Sequence, residues 1–298
     1  QPDAILLVGG MPVSGRVLRF LESAQPRVWA RINSGPDRID PYHRATHVLV
    51  GDIAATLDAL AGAVPQRDAG DWLAGWRDAS DAAWHVVHPL LDTLTEPGLA
   101  HRLTQLLPKD DPLVIAASMP IRNVDTFAPT DGPRVRVFAN RGASGIDGTV
   151  ATAAGIAHAT GRGTTVLIGD LALLHDLNSL AMLRDLPERL VVVLVNNDGG
   201  GIFGQLPIAA FGADEHADPF ERLFGTPHGM KFSGAARQFG LNYSAPESLS
   251  GFADAYRGAL ARETSTLIEV RIPRTDGTRH TALEGIRRSE QSRAGERR

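Results

Sequence analysis

Short apolar runs rich in β-branched residues alternate with segments of helical period along almost the whole chain, and this alternation restricts the fold more than any other feature. "AILLVGG" leads into the helical "GRVLRFLES"; "RVWARI" and "THVLVGD" lead into "IAATLDALAGAV". A second series sets "PLVIAAS", "RVRVFAN", "TTVLIGD", "RLVVVLVNND" and "STLIEVRIP" around the helical "GTVATAAGIAHATG", "LHDLNSLAMLRDL" and "GFADAYRGALARE". Strands that alternate with helices pair in parallel and bury both sheet faces, so the expected class is α/β, with two parallel-sheet domains. The 298 residues leave room for both. The expected boundaries are 1–65 and 96–275, joined by a helix over 66–95 and followed by a tail over 276–298. Trp72, Trp76 and Trp84 lie at helical spacing on the joining helix and are expected to pack it down. The basic end "RRSEQSRAGERR" has few apolar residues and is expected to fray in solvent.

Composition removes several function classes. A net charge of -4 and the lack of any long basic block inside the chain give nucleic-acid binding no support. The absence of cysteine excludes disulfides and thiolate metal sites and fits a cytoplasmic protein. No apolar run reaches the roughly 18 residues of a membrane span. The chain opens on Gln1, and its first methionine is Met11 inside "GGMPVSG"; the expectation is that an N-terminal portion precedes it.

Two polar clusters point to the site. "TTVLIGD" ends on Asp170 and "RLVVVLVNNDGGG" runs into Asn197, with roughly one helix and one return strand between them. In an open parallel sheet both ends lie on the carboxyl edge, where ligands bind. One carboxylate, one amide oxygen and a glycine carbonyl then converge, an oxygen set suited to Mg²⁺ or Mn²⁺ shared with phosphates and water. Gly199, Gly200 and Gly201 permit the backbone angles that such a close approach requires. "VGGMPVSG" matches neither a Walker A loop nor G-x-G-x-x-G, no G-x-S-x-G elbow occurs, and no histidines stand at zinc spacing. His175 reads as structural, and His228 in "TPHG" reads either as structural or as part of a substrate loop within the long Gly- and Pro-rich stretch 197–228.

The Gly-Asp cluster followed at this distance by Asn-Asn resembles the diphosphate-binding motif of thiamine diphosphate enzymes, with the departure that Leu171 stands where the usual motif has a second glycine. The resemblance sharpens over "SMPIRNVD", "NRGASGIDGTVATAAGIA", "GDLALLHDLNSLAMLR", "NNDGGGIF" and "FERLFGTPHGMKF". In order from about 96 to 272, these segments are similar to the 2-succinyl-5-enolpyruvyl-6-hydroxy-3-cyclohexene-1-carboxylate synthase family of menaquinone biosynthesis. Residues 1–65 look like the end of that family's central Rossmann-like domain.

The resemblance implies a transferase. It implies decarboxylation of 2-oxoglutarate on thiamine diphosphate and addition of the resulting carbanion to isochorismate, in a homo-oligomer that is at least a dimer. It implies Asp170, Asn197 and the Gly199 carbonyl as ligands of Mg²⁺ or Mn²⁺, and Ile146 as the apolar support of the bent cofactor. Ile202 and Phe203 match residues that line the cofactor site, and Ser118, Arg122 and Arg141 match residues that contact substrate carboxylates. Arginine suits that task because its planar fork holds a carboxylate bidentately. The family's activating glutamate comes from an N-terminal pyrimidine-binding domain; Glu96, Glu188, Glu215 and Glu221 have no claim to it, so no catalytic residue is assigned and this chain alone is expected to be inactive. Another thiamine diphosphate-dependent 2-oxoacid decarboxylase or synthase, or a non-catalytic cofactor-binding module, stays open at this level. The loop 204–230 is a candidate lid.

Overall fold

The computed structural model describes residues 2–36, 40, 42–66, 68, 70–140, 145–211, 217–274 and 276–296. The chain divides into two compact units, 1–77 and 78–298. The first contains β1 (Ala4–Val8), α1 (Gly15–Ser23), β2 (Val28–Asn33), β3 (His47–Val50) and α2 (Ile53–Ala63). Its three strands are parallel in the order β1-β2-β3. Each helix starts on a side-chain cap: Ser14 Oγ accepts from the Val17 N–H at 3.4 Å and Asp52 Oδ1 from that of Ala55 at 2.7 Å. Central β2 buries Trp29 and Ile32, whereas β3 is exposed along its whole length. Leu6, Val8, Val48, Leu49 and Val50 all stand exposed on this sheet.

Within the stretch 66–95 the structure has helix α3 (Gly70–Val87), and its tryptophans divide. Trp72 and Trp76 are 68% and 57% exposed, and they cover part of their own surface by meeting edge to face with centroids 6.1 Å apart. Trp84 alone packs as expected, against the buried cluster of Val87, Leu91, Phe127 and Ala282.

The second unit holds the larger sheet. Its elements run α4 (Glu96–Leu106), β4 (Leu113–Ile115), α5 (Met119–Phe127), β5 (Val137–Phe138), α6 (Thr149–Thr160), β6 (Thr164–Gly169) and α7 (Asp170–His175). A 3-10 segment (Leu177–Arg184) leads to β7 (Leu190–Asn196), followed by α8 (Ile208–Phe211), α9 (Ala217–Phe220), α10 (Ser233–Gln238) and β8 (Asn242–Ser244). The unit closes with α11 (Leu249–Leu260), β9 (Thr266–Arg271) and α12 (Thr278–Glu296). The six strands are parallel in the order β5-β4-β6-β7-β9-β8. Central β7, "LVVVLVN", is buried at every position, the continuous pattern of a strand covered on both faces. The chain steps from β4 outward to β5 and then back across β4 to β6, so strand order reverses between β4 and β6. Such a reversal opens a crevice at the carboxyl ends.

This architecture is the expected one, two parallel α/β sheets, and three segments depart from expectation in detail. "RVRVFAN" supplies only the two residues of β5, and "LHDLNSLAMLRDL" coils as a tighter 3-10 run rather than as an α-helix. Residues 278–296, expected as a tail, form helix α12. Few residues anchor it: Ala282 is fully buried, Ile286 packs on the same small cluster, and Arg279 lies over the Phe127 ring at 5.5 Å while its Nη1 donates to the Arg122 carbonyl and to Asn123 Oδ1, both at 3.1 Å.

A buried polar pair ties α11 to β6. The Tyr256 hydroxyl and Thr165 Oγ1 are 2.7 Å apart, and burial pushes the phenol up to about 12. Tyr256→Phe leaves the Thr165 hydroxyl buried without that partner and is expected to cost about 1–3 kcal/mol, read as a lower urea midpoint at unchanged slope.

Candidate functional site

Three chain segments leave adjacent strands at the same edge. β4 runs on to Ser118 at the start of α5, β6 to Asp170 at the start of α7, and β7 to Asn197. Gly169 is in register with Val195, which brings Asp170 and Asn197 together as the sequence predicts. A cavity of about 160 Å³ opens between them. Its lining includes Ser118, Ile146, Asp170, Asn197, Gly199, Ile202 and Phe203, every sequence-predicted site residue except two. Arg122 lies on the first turns of α5, where its Nη1 donates to the Ser118 carbonyl at 2.6 Å, and it is not part of the cavity wall. Arg141 lies outside the described residues.

The Asp170 carboxylate is nearly fully buried and organises the turn after β7. Its Oδ2 accepts from the backbone N–H of Gly199 at 2.9 Å and of Asn197 at 3.2 Å, and its Oδ1 from that of Leu171 at 2.7 Å. Gly199 sits at φ 128°, and a Cβ there would collide with the Gly225 carbonyl. A Cβ on Gly200 would strike the Phe224 carbonyl, so side chains are excluded where the turn meets the following loop. Ser118, a non-glycine residue, is held at φ 71° and ψ -130°, a strained backbone that places it in the cavity wall.

Two residues that sequence reasoning did not assign complete the arrangement. His228 is a buried neighbour of Asp170, with Nε2 3.1 Å from Asp170 Oδ2. Its Nδ1 accepts from the Met230 N–H at 2.9 Å, so Nε2 carries the proton and donates to the carboxylate. The same loop is fastened by Asp198, whose Oδ1 accepts from the N–H groups of His228 at 2.9 Å and Gly229 at 2.7 Å. The Gly229 bond is the main cause that holds the Asp198 carboxyl below its ordinary range. Arg274 joins the loop to the turn, donating to the Asp198 and Gly225 carbonyls and pairing with Glu221.

Glu96 is the second. It opens α4 beside the Thr95 cap and Pro97 and lines the cavity. Its Oε1 accepts from the Asn197 side-chain NH₂ at 2.7 Å and its Oε2 from that of Asn123 at 2.9 Å. Burial raises its carboxyl above the ordinary range, and the two amide bonds oppose that rise. The only signal in the sequence was an acidic residue starting a helix whose first turns, Pro97 to Ala100, are apolar or small and buried.

Asp170 and Asn197 bring one buried carboxylate and one buried amide oxygen to this edge. Asn197 gives its NH₂ to Glu96, and its Oδ1 is a buried acceptor with no partner among the described residues. Among the described residues no group of three or more His, Cys, Asp or Glu could hold a metal ion, so a cation here would take one carboxylate, one amide oxygen and backbone carbonyl. Ile146 lines the cavity and also packs on the main core, serving as wall and as core residue at once. Phe203 meets Phe224 of the following loop edge to face, with centroids 5.4 Å apart.

The chain is similar to known proteins over most of its length. Residues 1–115 match the model described as the middle domain of thiamine pyrophosphate enzymes, and residues 125–270 match the thiamine pyrophosphate enzyme C-terminal TPP-binding domain. The 2-succinyl-5-enolpyruvyl-6-hydroxy-3-cyclohexene-1-carboxylate synthase of Rubrobacter xylanophilus is 53% identical over 272 residues, covering 90% of this chain and 46% of that protein. Its namesake in Salinibacter ruber is 46% identical over 288 residues, covering 95% and 47%. The chain thus spans about half the length of the curated relatives it matches. A solved structure described as a thiamin diphosphate-dependent enzyme from Mycobacterium smegmatis shares the fold at TM-score 0.60 and 20% identity, covering 91% of this chain and 49% of that one. The chain belongs to the 2-succinyl-5-enolpyruvyl-6-hydroxy-3-cyclohexene-1-carboxylate synthase family of thiamine pyrophosphate enzymes and carries their middle and TPP-binding domains.

Proposed function

We infer that the cavity at the ends of β4, β6 and β7 binds the diphosphate of thiamine diphosphate through Mg²⁺ or Mn²⁺, held by Asp170, Asn197 Oδ1 and the Gly199 carbonyl. The observation that carries this is the buried, unpartnered Asn197 Oδ1 beside a buried carboxylate and a turn too tight for side chains. When bound, the cofactor supplies an electron sink for loss of CO₂ from a 2-oxoacid and for forming a carbon–carbon bond. The chain's own residues bind and orient. Ile146, Ile202 and Phe203 would support the cofactor and keep water from it, and Ser118, Arg122 and Arg141 would take substrate carboxylates. For Arg122 this means exchanging its bond to the Ser118 carbonyl for a carboxylate at the same helix start.

The substrates proposed on the family's pattern are 2-oxoglutarate and isochorismate, both dicarboxylates, in a cytoplasmic transferase of menaquinone biosynthesis that works as at least a dimer. Turnover is proposed to need the glutamate that activates the cofactor; Glu96, committed to two amides, does not serve. Calorimetric titration of thiamine diphosphate into this chain with Mg²⁺, and again with chelator, tests the binding step. Binding with Mg²⁺ and none with chelator is the expected result, together with no CO₂ release from 2-oxoglutarate. Equal binding in both titrations overturns the metal site, and steady CO₂ release overturns the assignment of activation to a group outside this chain.

A further inference from the structure

We propose that Glu96 is a positioning residue that sets which way the Asn197 amide faces, and thereby presents an oxygen rather than an NH₂ to the cation. This rests on the reading of Asn197 as a metal ligand. An asparagine amide can turn over at little cost unless its neighbours distinguish oxygen from nitrogen. Here the partner of its NH₂ is a carboxylate oxygen, 2.7 Å away, which can accept and cannot donate while ionised. The reversed amide would set oxygen against oxygen and aim an NH₂ where a cation must sit. Glu96 cannot itself swing away, because its second oxygen is held by Asn123 at 2.9 Å. Asn123 is in turn fixed: its Oδ1 accepts from Arg279 Nη1 at 3.1 Å, so its NH₂ must face Glu96. A directional relay therefore runs Arg279 → Asn123 → Glu96 ← Asn197, and it leaves Asn197 Oδ1 as the buried acceptor without a partner among the described residues. Outer groups that orient metal ligands in this manner are worth about 10–100-fold in metal affinity.

The relay predicts a rescue that a purely structural glutamate would not show. In Glu96→Gln one carboxylate oxygen is replaced by an NH₂. Turned toward Asn123, it meets a donor that Arg279 prevents from reversing; turned toward Asn197, it forces that amide over. Adding Asn123→Asp restores the pattern with the charge transposed. The carboxylate introduced at position 123 accepts both from Arg279 and from the NH₂ introduced at position 96, and the amide oxygen at position 96 again accepts from Asn197.

The experiment is titration of Mn²⁺ into the 298-residue chain at fixed thiamine diphosphate, with free Mn²⁺ read by electron paramagnetic resonance and folding read by thermal melt. The expected result is Mn²⁺ binding weakened by about 10–100-fold in Glu96→Gln and returned to within about threefold of the parent in Glu96→Gln/Asn123→Asp. A folded Glu96→Gln that binds as the parent does overturns the proposal. So does a folded double variant that stays weak, which would assign the loss to charge at position 96. Should Glu96→Gln fail to fold, the double variant decides alone, supporting the proposal if it folds and binds and overturning it if it folds and does not. Failure of the parent chain to bind Mn²⁺ overturns the metal site itself, and the proposal with it.

Discussion

Asp170→Ala is expected to abolish metal-dependent thiamine diphosphate binding and, in the same variant, to loosen the turn that builds the site. The carboxylate accepts from Gly199, Asn197, Leu171 and His228 while nearly fully buried. Removing it takes away one proposed cation ligand and frees the backbone that carries the other two. Loss of a group that merely orients a ligand costs about 10–100-fold, so a fall of more than about a hundredfold in Mg²⁺-supported affinity is expected. The stability cost is separate. Several buried N–H groups lose their acceptor at about 1–3 kcal/mol each, so a decrease of roughly 3 kcal/mol or more follows. Calorimetry with and without chelator measures the first effect, and urea unfolding the second. Asp170→Asn separates them, since its remaining oxygen can still accept from the turn while the charge is gone; metal-dependent binding retained in that variant at parental strength would count against Asp170 as a ligand.

Gly199→Ala is expected to have the next largest effect. At φ 128° an alanine is strained whatever the space, at about 1–3 kcal/mol. Its Cβ would also collide with the Gly225 carbonyl and lie 2.9 Å from Arg274 Nη1 and 3.0 Å from the Thr226 carbonyl. Two of these three neighbours are backbone, so relief requires the loop to move. The bond from the Gly200 N–H to the Gly225 carbonyl, 2.8 Å, goes first. We expect faster hydrogen exchange over 221–230 and loss of cofactor binding. Gly204→Ala is the control, with no positive φ and nothing within 4 Å of its Cβ, and it should leave both readouts unchanged. A Gly199→Ala protein that exchanges and binds like the parent would show that the turn tolerates opening.

The parts of the site that were legible in the sequence are those fixed by strand ends. Asp170 and Asn197 follow two adjacent parallel strands, so a local pattern and one topological rule suffice to bring them together. Ser118 was legible through the family motif, although its strained backbone was not. Glu96 and His228 were illegible for a common reason: each reaches its partner through tertiary structure, Glu96 across 101 residues to Asn197 and His228 across 58 to Asp170. No periodicity records such contacts. Helix α12 escaped because its anchors are few, Ala282 and Ile286 on a small buried cluster and Arg279 over the Phe127 ring, and composition counts the rest as polar tail. Trp72 and Trp76 misled in the opposite direction, since helical spacing shows that two side chains share a face and does not show that anything covers it.

The exposed strand β3 gives the smaller unit a social chemistry of its own. His47, Val48, Leu49 and Val50 are all exposed, and their outer backbone edge presents a ready template for another strand. Leu6 and Val8 add apolar surface on the same sheet. Such an edge is where an added strand, from this chain or another, would pair first. That edge, residues 47–50, belongs to a different compact unit from Asp170 and Asn197, so a charge placed on it, as in Val48→Lys, is expected to leave the cofactor site unchanged.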